Sequence, residues 1–365
     1  MLCLDVVQII CDFSDLRTQI NLIQACKEYD ENLKIRKLDC SYKIGIGYNI
    51  TQEIIQQKKF DKLQKLNASD NNKIIAVNHL RNTLTELNCR NYCGIDQKGI
   101  SNLKVLQKLN ADNSSKITDV NHLQNTLTEL ICSWNCGIDQ KGISNLKILQ
   151  ILNAYDNKKI TNVNHLQNTL TELDCWHRCG IDQKGISDLK VLQKLNVCYN
   201  NKITDVNHLQ NTLILLDCHS SDFHDDCGID QKGISNLKIL QKINARNNSK
   251  ITNVNYLQNT LIELDCRRNC GIDQKGISEL KVLQKLDADS NYKITDVNHL
   301  QNTLIELNCY DTCGIDQKGI SNLKVLQKLN ANGNKRITDV NHLQNTLTKL
   351  NCLLEYQNRS ILYSR

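Results

Sequence analysis

The chain has 365 residues, 40% hydrophobic and 23% charged, which is apolar enough for a packed core and too weakly charged for a disordered polyelectrolyte. With 15 glycines, no proline and only 4% aromatics, collagen-like and Pro/Gly-rich chains are excluded, and the core has to be aliphatic. The formal charge of +6 is spread along the chain without a basic block, so no nucleic-acid surface is implied, and no apolar run approaches the length of a membrane span.

Residues 1–34 place Leu2, Leu4, Val6, Val7, Ile9, Ile10 and Phe13, then Leu16, Ile20, Leu22, Ile23 and Cys26, at spacings that predict two or three short amphipathic helices. The opening lacks a cationic stretch and Asp5 interrupts its apolar run, so no secretory signal is expected. Together with 18 cysteines this points to an intracellular, cytoplasmic chain with reduced thiols. The string Leu2-Cys3-Leu4-Asp5-Val6-Val7, followed by Ile10, resembles the start of an F-box. That resemblance implies a helical module docking on the adaptor of cullin-type ubiquitin ligases, with Leu2, Leu4, Val6, Val7 and Ile10 as the adaptor-binding residues. The sequence departs from the family in two places: Cys3 stands where a proline is usual, and no Trp closely follows Cys26. The other reading of the segment is a cap that shields the first strand of a repeat array.

From residue 35 to 352 the chain repeats. Cys-Gly-Ile-Asp-Gln-Lys-Gly-Ile-Ser begins at Cys93, Cys136, Cys179, Cys227, Cys270 and Cys313, in steps of 43, 43, 48, 43 and 43 residues. Each block divides into two units, as in Leu84-x-x-Leu87-x-Cys89 and Leu106-x-x-Leu109-x-Ala111, giving about 14 units of 21–22 residues. Apolar residues at unit positions 1, 4 and 6 predict a short strand, and Asp96–Leu103 has the spacing of a helical turn. This pattern resembles the leucine-rich repeat family. The resemblance implies an α/β solenoid: a curved parallel sheet on the concave side, turns or short helices behind it, and a small helical segment ahead of it. A tail, 353–365, follows.

Within this frame most regular columns read as structural. Position 9 of the odd units is Asn71, Asn157, Asn200, Asn248, Asn291 and Asn334, with Ser114 the exception. A buried amide there can satisfy the backbone of the bend after the strand. The Cys-x3-Cys pairs recur two units apart, roughly 10 Å, too far to pool metal ligands. The turn histidines His79, His122, His165, His208, His299 and His342, with Tyr256 at the missing place, are separated in the same way. Position 3 alternates Lys (Lys65, Lys108, Lys194) with Glu (Glu86, Glu129, Glu172), which predicts cross-strand ion pairs broken at Ile151 and Leu215.

Positions 7 and 8 behave differently. The blocks are near-copies, yet these two places change almost every time and hold both tryptophans. They predict a partner-binding rim of Trp134, Tyr155, Trp176, His177, Tyr199, Arg246, Arg267, Arg268, Tyr310 and Asp311, built from residue types that dominate interfaces. A five-residue insertion within His219–Asp226 extends one loop beside this rim, suited to partner contact or simply tolerated; its two His and three Asp are metal-ligating types, but ligands so close in a flexible loop rarely fix a geometry. No phosphate loop, nucleophile elbow or carboxylate pair in a cleft is present. The expectation is therefore a non-enzymatic protein-interaction module without metal or cofactor, holding a protein target on the concave face.

Overall fold

The structure is a computed structural model that describes residues 3–41, 50–221 and 226–352. It comprises two compact units, Met1–Leu170 and Thr171–Arg365. Leu2, the tail 353–365 and part of the loop insertion lie outside the described residues.

The first unit opens with three helices, α1 (Leu4–Phe13), α2 (Leu16–Gln24) and α3 (Lys27–Asn32). Asp15 caps α2 by accepting from the Thr18 amide at 2.8 Å. Gln8 ties α1 to the start of the repeats, donating to the Lys34 carbonyl and accepting from its amide. Val7, Cys11 and Ile23 turn inward. Six strands follow: β1 (Lys37–Asp39), β2 (Lys65–Asn67), β3 (Glu86–Asn88), β4 (Lys108–Asn110), β5 (Glu129–Ile131) and β6 (Ile151–Asn153). The second unit holds β7 (Glu172–Asp174), β8 (Lys194–Asn196), β9 (Leu215–Asp217), β10 (Lys242–Asn244), β11 (Glu263–Asp265), β12 (Lys285–Asp287), β13 (Glu306–Asn308), β14 (Lys328–Asn330) and β15 (Lys349–Asn351).

Within each unit neighbouring strands pair parallel and in identical repeat register, Lys65 opposite Glu86 and Lys242 opposite Glu263. The central residue of each strand points inward: Leu66, Leu87, Leu109 and Leu130 are buried, as are the position-1 leucines Leu84, Leu106 and Leu127. Positions 3 and 5 face outward, the alternation a strand imposes. Even repeats then make a helical turn such as Gln97–Ile100, capped by Asp96, whose carboxylate accepts from the Gly99 amide at 2.8 Å. Odd repeats make a 3₁₀ turn such as Asn121–Leu123. No repeat could bury its own leucines, so each depends on its neighbours. Both units are thus leucine-rich-repeat solenoids, the first led by the helical segment.

Three devices lock one repeat to the next. Gln97 accepts from the amides of Thr118 and Asp119 and donates to the Asp119 carbonyl, each at 2.8–2.9 Å. Asn157 donates to the carbonyls of Cys132 at 2.7 Å and Ile138 at 3.1 Å, as the asparagine column predicts; Asn200, Asn248, Asn291 and Asn334 do the same. The second glycine of the repeated string permits a close approach: a Cβ on Gly142 would lie 2.2 Å from the Thr118 carbonyl oxygen.

Candidate functional site: the rim after the strands

The segment after each strand is built the same way in most repeats; β5 is an exception, with Ile131 at position 5. The position-5 Asn or Asp side chain accepts the position-7 amide, as Asn110 does from Asp112 at 3.0 Å and Asn153 from Tyr155 at 3.0 Å. The position-8 amide donates to the position-7 carbonyl of the next repeat: Asn91 to Asp112, Trp134 to Tyr155 and Arg268 to Asp289, each at 2.8–2.9 Å. In every repeat from β2 to β14 except that of β9 the position-8 residue adopts the left-handed conformation; Ser220 makes the same bond to Arg246 at 3.0 Å without it. Asp70, Asn91, Asn113, Asp156, Asn247 and Asp311 adopt it at φ between 51° and 60°, and Gly333 at 75°. These are residue types that tolerate it. Trp134 (56°), His177 (62°), Tyr199 (55°) and Arg268 (60°) adopt it too, at a cost of roughly 1–2 kcal/mol each.

In the first unit Trp134 is 48% exposed and meets Tyr155 edge-on. In the second, Trp176 lies beside His177 and tilts against Tyr199, centroids 5.9 Å apart, and Tyr199 meets His219 edge-on at 5.0 Å. Arg246 is half-buried and Arg268 exposed, whereas Arg267 is clamped, its Nη2 2.6 Å from Asp265 and its Nε 3.3 Å from Asp287. That clamp holds the guanidinium well above its ordinary pKa, chiefly through the Asp265 hydrogen bond. Burial pushes the Asp174 carboxyl, at the base of this rim, up to about 6. Tyr310 and Asp311 are both exposed. Two further exposed aromatics, Tyr92 and Tyr292, lie one and two places beyond the residues expected. They escape a reading confined to positions 7 and 8, although position 9 of the even repeats and position 10 of the odd repeats also vary.

Beside the rim the strand face carries the expected ion pairs: Lys65 with Glu86, Lys108 with Glu129 at 2.7 Å, Lys194 with Glu172 at 2.6 Å, and Glu263 between Lys242 and Lys285. A hollow of about 750 Å³ lies over β1–β5 and is closed at one end by Asp12, Asp15 and Arg17. The second unit has one of about 540 Å³ over β9–β15.

The remaining columns are framework. Each turn histidine puts Nε2 on the carbonyl of the preceding helical turn, as His122 does on Ile100 at 3.1 Å. All 18 cysteines are free thiols, and both members of Cys89/Cys93 and Cys132/Cys136 are buried. Burial pushes Cys136 up to about 11 and Cys179 up to about 12, which suits packing and disfavours thiolate chemistry.

The N-terminal residues divide. Leu4 is half-buried and Val7 buried, so Val7 packs inside the helical segment. Val6 and Ile10 are exposed, and so are Ile9 and Phe13, the last at 87%. These four form one outward apolar stripe of α1 at helical spacing.

No protein-family model and no curated protein matches the chain. Among solved structures it is similar to an internalin (inlF) from Listeria monocytogenes, with 20% identity over 95% of this chain and 87% of that one, TM-score 0.42. It is also similar to Rad7, crystallised with Elc1, in yeast (17% identity, 95% and 92% coverage, TM-score 0.47). A third similarity is to TLR13 in its ssRNA13 complex (18% identity, 88% and 52% coverage, TM-score 0.41). Among the described residues no helix is long and apolar enough to cross a membrane.

Proposed function

We propose that the chain is a protein-interaction module that holds its target along the rim after the strands. The left-handed position-8 residues carry this reading. Nearly every repeat uses the conformation, Ser220 being the exception, and asparagine, aspartate or glycine fills it cheaply. Placing Trp134, His177, Tyr199 and Arg268 there sacrifices stability for large aromatic and cationic groups held at fixed points. Such groups are the anchors of protein interfaces. The test is to replace Trp134, Trp176 and Arg268 with Asn and measure binding of the partner recovered from the native cell. Binding should fall at least tenfold while folding persists. Equal loss from replacing His122 and His165 with Gln, on the opposite side of the repeats, would locate the contact elsewhere.

The finer reading is a substrate-recruiting subunit of a cullin-type ubiquitin ligase, with α1 seated on the adaptor. Val6, Ile9, Ile10 and Phe13 support it, because a helix serving only as a cap has no use for an exposed apolar stripe. Capture of the adaptor by the intact chain, abolished by Ile10→Asp and Phe13→Asp, would support this reading. Failure of the intact chain to capture it would leave an interaction scaffold capped by its N-terminal helices.

A further inference from the structure

One group of side chains in the second unit is explained neither by packing nor by the rim. Position 7 of the odd repeats runs Ser69, Asp112, Tyr155, Cys198, Arg246, Asp289, Asn332, so Cys198 is the single cysteine of that column. The same position of the next repeat is His219, and β9 ends on Asp217. Parallel register brings the three together. Cys198 Sγ lies 2.8 Å from Asp217 Oδ1 and 2.8 Å from His219 Nδ1, and these two are 2.7 Å from each other.

Hydrogen bonding alone does not account for this triangle. Its three edges have only two protons available, the thiol's and one on the ring. Where other cysteines of the chain donate to a backbone carbonyl, Sγ stands 3.1–3.6 Å from the oxygen. A nucleophilic triad is excluded by connectivity. Sulfur and carboxylate both address Nδ1, while Nε2 is turned to Tyr199 Oη at 3.0 Å, so the ring cannot relay a proton from thiol to carboxylate through its two nitrogens.

We propose that Cys198, Asp217 and His219 bind a divalent transition-metal ion of the zinc type. One sulfur, one imidazole nitrogen and one carboxylate oxygen make a donor set for such an ion, with water as the fourth ligand. Bond lengths near 2.3, 2.0 and 2.1 Å around a tetrahedral centre require the three atoms to part by only about 0.7 Å. Cys198 is fully buried, while the Asp217 and His219 side chains keep 26% and 20% of their exposure, which opens one side to solvent. On ligation the thiol gives its proton to solvent. The groups behind the ligands match a metal site as well. With its proton on Nε2 donated to Tyr199 Oη, His219 presents the Nδ1 lone pair to the ion, and Asn244 Nδ2, 3.3 Å from that Nδ1 and hydrogen-bonded to the Asp217 carboxylate, flanks both ligands. Tyr199 reaches His219 from the left-handed backbone at φ 55°, so its strain also serves to orient a ligand. This departs from the expectation that the chain has no metal site. That expectation compared cysteines two repeats apart and weighed His219 only with the loop residues that follow it, leaving out Cys198 one repeat before.

The test uses the full-length chain, reduced, freed of metal with a chelator and titrated with Co²⁺. One equivalent should produce a thiolate-to-cobalt charge-transfer band and the strong visible bands of a four-coordinate ion, both bleached by Zn²⁺. Cys198→Ser should abolish the charge-transfer band with the circular dichroism unchanged. Tyr199→Phe should weaken Co²⁺ binding about 10–100-fold. Cys26→Ser, which removes an exposed thiol, should change nothing. A charge-transfer band that survives in Cys198→Ser, follows Cys26 instead, or is missing from the wild-type chain would overturn the site.

Discussion

Trp134 meets Tyr155 edge-on, ring centroids 4.8 Å apart and planes at 81°, from a backbone held at φ 56°. The ring contact contributes about 0.5–1.5 kcal/mol, close to the roughly 1–2 kcal/mol that the left-handed conformation costs a non-glycine residue. Trp134→Asn should therefore change unfolding free energy by less than about 1 kcal/mol, because relief of strain and loss of the contact offset each other. Arg268→Asn, which relieves the same backbone strain, should likewise change the unfolding free energy by less than about 1 kcal/mol. Both should weaken partner binding. A variant that loses stability by more than about 2 kcal/mol would show that these residues serve the fold.

The rim also marks the boundary of what the sequence discloses. Repeat period, strand positions, the Lys–Glu pairs and the asparagine column are all legible, because a stacked repeat turns sequence spacing directly into spatial neighbours. The left-handed backbone at position 8 is not, since Asp70, Asn91, Trp134 and Tyr199 share no residue type and Ser220 makes the same inter-repeat hydrogen bond without it. The cluster at Cys198 is hidden for a related reason. Its three members belong to different columns and register alone joins them. The inward turn of Val7 beside the exposed Ile9 depends on how α1 lies on its neighbours, which helical periodicity leaves open.

Asn157 and Ser114 occupy equivalent places with unequal means. Asn157→Ala removes both donors to the buried Cys132 and Ile138 carbonyls and should cost about 1–3 kcal/mol in chemical denaturation. Ser114 is equally buried, so Ser114→Asn should add the two bonds its column makes elsewhere and stabilise by about 1 kcal/mol. Loss of stability on introducing asparagine would mean that the repeat following β3 has a bend of its own.

The thiols give a direct check on the packing. Among 18 cysteines, Cys3 and Cys26 are exposed and Cys352 intermediate. Burial raises buried thiols, Cys93 to about 11 and Cys270 to about 12 among them. A thiol reagent at neutral pH should modify two or three groups rapidly and the rest only as the chain unfolds. Rapid modification of most thiols in the native state would show that position 6 does not face the core.

The histidine column should make stability depend on pH. Burial holds His79, His122, His165, His208 and His299 below the ordinary imidazole value. As pH falls through about 6.5 the unfolded chain takes up protons that the folded chain refuses, so stability is complete above that pH and declines below it. Asp174, raised to about 6 by burial, and Asp112 and Asp287, also raised by burial, act the other way. Comparing variants isolates the imidazoles. With His122 and His165 both replaced by Gln, the midpoint of thermal unfolding should fall less between pH 7 and pH 5 than in the unaltered chain. Tyr256 supplies the converse, because it fills the missing place with a buried hydroxyl that has no partner among the described residues. Tyr256→His should make the decline steeper, its Nε2 reaching the Ile234 carbonyl as His208 reaches that of Ile186. Parallel pH profiles for all three proteins would show that the column does not titrate with folding.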